Sequence, residues 1–139
     1  MLFRSTPERL PIQGWGLRWS PDGSSLVYHT RVEPSFIEVF EEGGNPRRII
    51  TDDTAGLTSV TWPEWSPDGS TIYFYATGAD GVYGLYSIPA AGGEPRLLVR
   101  FDEPSMQIFR VGGVVEHDGM FYFAIGVLES DIYVMDLEY

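Results

Sequence analysis

Apolar residues in this chain come in short runs, each closed off by glycine, proline or aspartate. Ser25-Leu26-Val27-Tyr28-His29, Thr71-Ile72-Tyr73-Phe74-Tyr75 and Phe121-Tyr122-Phe123-Ala124 each follow an Asp-Gly pair or its neighbourhood. Such runs, rich in β-branched and aromatic residues and bounded by turn formers, predict strands. A second set comes next: Phe36-Ile37-Glu38-Val39-Phe40, Leu85-Tyr86-Ser87-Ile88 and Ile132-Tyr133-Val134-Met135. The first two of these lead to paired glycines, Gly43-Gly44 and Gly92-Gly93. After each pair comes a third kind of run, Pro46-Arg47-Arg48-Ile49-Ile50 and Pro95-Arg96-Leu97-Leu98-Val99. No long segment carries an apolar period of 3.6, so almost no helix is expected.

The turns repeat more strictly than the strands. Trp19-Ser20-Pro21-Asp22-Gly23-Ser24 returns 46 residues later as Trp65-Ser66-Pro67-Asp68-Gly69-Ser70. A weaker copy, Val115-Glu116-His117-Asp118-Gly119-Met120, follows after another 50 residues. With strands labelled a to d, a leads into the Asp-Gly turn, b follows it, c precedes Gly-Gly and d follows that. The third copy ends on c. Pro7-Glu8-Arg9-Leu10-Pro11-Ile12 has the basic-then-apolar pattern of a d strand. Residues 7–12 are therefore the expected outer strand for the last unit, and the approximate units are 7–50, 51–99 and 100–139. This phase favours a self-contained unit over an excised piece.

These repeated residues resemble the WD40-like PD40 repeat of TolB-type β-propellers, and the second copy is the better match. The third departs from it, with Val115 in place of tryptophan and His117 in place of proline. The resemblance implies an all-β fold of three four-stranded propeller blades. Three blades are too few for the usual ring, and each end would leave a bare apolar face. The expected outcome is head-to-tail closure into a ring: a homodimer of six blades first, a homotrimer of nine second. The same repeat occurs in partner-binding envelope proteins, in peptidase gating domains and in sensors, so the resemblance carries no single function.

Composition narrows the chemistry. The 139 residues carry a formal charge of −11 and contain no cysteine. An acidic surface repels phosphate backbones, which argues against nucleic acid; it would suit a basic protein, a cationic ligand or a metal, but its plainer reading is solubility. Without cysteine there is neither a disulfide nor thiol chemistry. No stretch has the length of a membrane-spanning helix, no signal peptide is evident, and the compartment stays unassigned. No nucleophile elbow, phosphate loop or metal-ligand spacing is present, so no enzyme activity, catalytic residue, cofactor or metal is expected. The expected function is a non-catalytic scaffold that self-assembles and binds a protein or peptide. The alternatives are an enzyme whose channel site forms only in the closed oligomer, and a propeller fragment without independent activity.

Asp22, Gly23, Asp68, Gly69, Asp118 and Gly119 are expected as structural turn residues: aspartate accepts turn amide protons, and glycine takes a positive φ. Trp19 and Trp65 are expected to pack between blades, and His29 and His117 to be structural or exposed. The candidate partner contacts are residues that differ between copies near strand a: Trp15, Arg18, Trp62, Glu64 and Arg110. The variable segments between strands b and c are further candidate recognition loops.

Overall fold

A computed structural model describes residues 9–30, 32–102 and 114–123. Ten strands run through them in chain order: β1 (Trp15–Trp19), β2 (Ser25–His29), β3 (Phe36–Glu41), β4 (Arg47–Thr51), β5 (Thr58–Trp65), β6 (Thr71–Thr77), β7 (Tyr83–Pro89), β8 (Arg96–Arg100), β9 (Val114–His117) and β10 (Met120–Phe123). A 3-10 turn at Thr54–Gly56 is the one helical element among the described residues. The all-β expectation holds.

The strands form two four-stranded antiparallel meanders, β1-β2-β3-β4 and β5-β6-β7-β8, and a β9-β10 hairpin. The inner strand β2 is buried on both faces, and β6 on both faces along Ile72–Ala76. The outer strands β4 and β8 end the sheets with Arg47, Arg48, Arg96 and Arg100. Charged edge residues of this kind discourage edge-to-edge pairing.

The local turns explain where strands stop. Pro21-Asp22-Gly23 closes a four-residue turn in which the Gly23 N–H donates to the Ser20 carbonyl over 2.9 Å. Asp22 Oδ1 accepts from the Ser20 hydroxyl (2.6 Å), the Ser24 amide (3.0 Å) and the Ser24 hydroxyl (2.8 Å). Asp68 repeats the arrangement with Ser66 and Ser70. Gly23 and Gly69 take φ of 74° and 73°, a region costly for any residue with a Cβ. The third turn differs. Asp118 and Gly119 both have positive φ, the geometry of a two-residue type I′ hairpin.

The main core lies between the two large sheets. Val27, Ile37 and Val39 of the first meet Val60, Ile72, Phe74 and Ile88 of the second. The opposite face of the second sheet buries Tyr73, Tyr75 and Leu85 with Phe101 and Val114, and Phe121 of the hairpin packs against them. Tyr73 and Phe121 meet edge to face at 4.9 Å, and the Tyr73 hydroxyl donates to Glu116. The second sheet is thus held between the first sheet and the hairpin.

This arrangement corrects the propeller expectation. The described residues do not form three four-stranded blades of a closed ring. Its sheets are separate and uncurled, and β5 lies across β1, β2, β3 and β4 of the first sheet. The likeness to TolB-type, WD40-like PD40 propellers therefore does not extend to the fold, and the counts of six and nine blades fall with it. The physical reason is that Trp-Ser-Pro-Asp-Gly-Ser is a turn device. It fixes where one hairpin closes and says nothing of how one sheet sits on the next.

Two smaller expectations also change. Residues 9–12 form no strand; Ile12 instead packs on the outer face of the first sheet against Leu26, Tyr28 and Phe40. Residues 7 and 8 lie outside the described residues, as does the strand expected at 132–135. Trp65 is buried, but Trp19, its counterpart in the repeat, is 63% exposed.

Candidate functional site

The segments singled out near strand a come together at one seam. Among the described residues β1 pairs only with β2, and β5 only with β6, so each is an edge of its described sheet. The two edges lie against each other. Neither is regular. β1 is bulged between Trp15 and Arg18, and β5 is bulged twice, between Thr58 and Thr61 and between Thr61 and Glu64. Bulges bend an edge and re-aim its side chains.

At these bulges Gly16, Ser59 and Trp62 take φ of 62°, 55° and 52°. For Ser59 and Trp62 that conformation costs on the order of 1–3 kcal/mol each, which the surrounding contacts must offset. Around Trp62 those contacts are visible. Its amide donates to His29 Nδ1 over 3.3 Å, and the two rings are tilted at 54° with centroids 5.3 Å apart. His29 is 1% exposed. An accepting Nδ1 places the proton of the neutral ring on Nε2. A Cβ on Gly16 would come within 3.0 Å of the His29 ring, so the close approach of β1 requires glycine there.

Arg18 and Glu64 tie the seam from the other end. Arg18 Nε donates to Glu64 Oε2 at 2.9 Å, and the Trp65 indole N–H donates to the Arg18 carbonyl at 3.1 Å. The ion pair is part-exposed, so its contribution is at most about 1 kcal/mol after solvent screening. Trp15 lies at the start of the same seam and is 56% exposed. Four of the five candidate contacts, Trp15, Arg18, Trp62 and Glu64, therefore lie on adjoining edges. Arg110 lies outside the described residues.

Beside Trp62 a polar cavity of about 280 Å³ opens between the sheets, lined by His29, Thr30, Glu33, Ser35, Ser59, Thr61 and Trp62. Ser35 of its lining is bonded to Asp52, a buried carboxylate that also holds Val60 of β5 and so joins the two sheets. Its Oδ2 accepts the Ser35 amide (2.8 Å), and its Oδ1 accepts the Ser35 hydroxyl (2.7 Å) and the Val60 amide (3.2 Å). Burial pushes the Asp52 carboxyl up, but the bonds from Ser35 and Val60 outweigh it and hold the group below the usual range. The Ser35 hydroxyl spends its proton on Asp52, so it is not set up as a nucleophile beside His29. Among the described residues no group of three or more His, Asp or Glu side chains could hold a metal.

Asp52, Gly16 and the His29–Trp62 link were not identified from sequence. Asp52 lies 17 residues from Ser35 and 8 from Val60, and no spacing rule connects them. Trp62 carried a faint signal. It precedes Pro63, where an extended backbone is usual, yet its φ is positive.

The edge strand β1 also presents apolar groups outward. Leu17 and Trp19 are exposed on the side opposite Arg18. Together with Leu10, Leu26, Phe40 and Glu42, Trp19 borders an apolar recess of about 160 Å³. No helix among the described residues is long and apolar enough to cross a membrane. No protein-family model matches this chain, and no match to a curated protein is found.

Proposed function

We propose that this chain is a non-catalytic interaction module that self-associates and binds a protein or peptide. The observation that carries the reading is the exposed apolar row on β1, where Trp15, Leu17 and Trp19 stand in solvent on a strand only five residues long. Exposed tryptophans clustered on a rigid edge are the usual anchors of protein contacts. The adjoining cavity suits a basic side chain of a peptide. Glu33 stands at its rim, the Trp62 ring forms a wall able to face a cation, and the net charge of −11 attracts positive partners.

A fluorescence titration tests the peptide part. Peptides with one arginine are expected to change the tryptophan signal and to bind less tightly as salt rises. Trp15→Ala and Glu33→Gln should each weaken them. Equal binding of peptides in which citrulline replaces arginine would count against the cavity as the contact.

A further inference from the structure

We infer that His29 is a pH-sensitive latch on the seam: a proton on its ring releases Trp62, and the bulged edge of β5 moves away from β1 and β2. A hydrogen bond and a strained residue meet at this point. The Trp62 amide donates to His29 Nδ1 over 3.3 Å, and the residue that accepts it is 1% exposed. Only the neutral ring has a nitrogen lone pair to offer. In the imidazolium both nitrogens are donors, so no rotation of the ring restores an acceptor. On the β1 side, a Cβ on Gly16 would stand 3.0 Å from both Cε1 and Nδ1, so the β1 backbone lies close against the ring and leaves it little room to withdraw.

Trp62 supplies the second state. Its φ is 52°, although it precedes Pro63, where extended backbone is favoured. A bulky residue at positive φ persists only while its contacts offset the cost. Both the amide bond and the ring contact at 5.3 Å go to His29. Trp62 therefore has two arrangements: held at positive φ by a neutral ring, or released toward extended backbone by a charged one. The neutral form is the one that fits. The contact is thus complete above the ordinary imidazole range, near about 6.5, and is lost as the pH falls below it.

The charged groups around the ring leave this sign in place. β1 and β5 bring Gly16 and Trp62 to it, and their charges, Arg18 and Glu64, bond each other. β3 pairs Ile37 with His29, and its Glu38 is bonded to Tyr28 and Arg48. After β2, Glu33 lines the same cavity, and Asp52 is bonded to Ser35 of that lining. Asp52 already accepts three protein donors. Glu33 would attract an imidazolium, but it is exposed, so water screens it. Arg31 lies outside the described residues. The latch is independent of whether the cavity takes a peptide, and its test needs none.

The test is an NMR titration of the full chain from about pH 8 to about pH 5. The chain has two histidines, so His117→Gln, at an exposed position, leaves His29 as the only imidazole signal. In that variant the Trp62 amide should shift through the same midpoint as the His29 ring. Its protection from hydrogen exchange, corrected for pH, should fall about tenfold across the transition, the scale of one hydrogen bond. Glu33→Gln should move the midpoint to lower pH and leave the transition in place. His29→Gln should abolish it; if that variant does not fold, the titration of His117→Gln decides alone. A Trp62 amide that does not follow the His29 ring overturns the latch, as does a ring that takes no proton before the whole fold unfolds in acid. A transition that vanishes in Glu33→Gln, or survives in His29→Gln, overturns it too.

Discussion

Asp22 and Asp68 show how much a single carboxylate can organise. Each is held at about 2 rather than 3.8, first by the serine hydroxyl before its turn (Ser20 or Ser66), then by the amide and hydroxyl of the serine after it. Folding lowers these pKa values, so their contribution to stability is complete above the ordinary carboxylate pKa. It is lost as the pH falls through about 2. Ser20→Ala and Ser66→Ala should therefore lower the melting temperature at neutral pH and flatten its fall in acid; melts at several pH values check this. An acid limb as steep as wild type would show that the hydroxyls do not set the shift. At Asp52 the expected effect is larger. Asp52→Ala leaves the amides of Ser35 and Val60 and the Ser35 hydroxyl without their acceptor. At about 1–3 kcal/mol for each buried group left unsatisfied, urea unfolding should show a loss of at least about 2 kcal/mol. Turn carboxylates were legible in sequence because their partners are two residues away. Asp52 was not, because its partners come from two other segments.

At the scale of elements, the strands were readable and their packing was not. Alternating and continuous apolar runs placed β2, β3, β6 and β7, and the Gly-Gly pairs placed β4 and β8. Residues 9–12 show the limit: their composition resembles Arg47–Thr51, yet they lie as a cover over Tyr28 without pairing. Trp19 and Trp65 occupy the same place in the same repeat, but only Trp65 has a sheet to pack on. The bulges of β5 left no clear mark in the sequence, since Trp62 holds its positive φ through contacts with His29 of a neighbouring strand. Gly16 permits one such contact. Gly16→Ala should strain the backbone and press on His29, and a loss of about 1–3 kcal/mol in urea unfolding is expected. Wild-type stability in this variant would show that β1 and His29 are not tightly apposed. In the core between the sheets, Phe74 is fully buried and stacked at 5.8 Å on Tyr86. Phe74→Ala should cost about 3–5 kcal/mol, several times the effect of removing the exposed Trp15 ring.

For the whole molecule, the sequence correctly indicated an all-β chain built from repeated hairpins and led to the wrong arrangement of its sheets. A turn motif is satisfied within six residues and tolerates many arrangements beyond them. The arrangement depends on which faces find partners: the second sheet is covered on both faces, while the first sheet and the hairpin each leave apolar groups in solvent. The seam of β1 and β5 brings together Trp15, Arg18, Trp62 and Glu64, but Arg18 and Glu64 satisfy each other, so the exposed chemistry of this edge is mainly aromatic. That balance underlies the proposal of binding without turnover. Its most direct test is the mass of the wild-type chain by light scattering across a wide range of concentration. The account predicts a concentration-dependent rise from 15.6 kDa to twice that value. A mass that stays at 15.6 kDa throughout would contradict it.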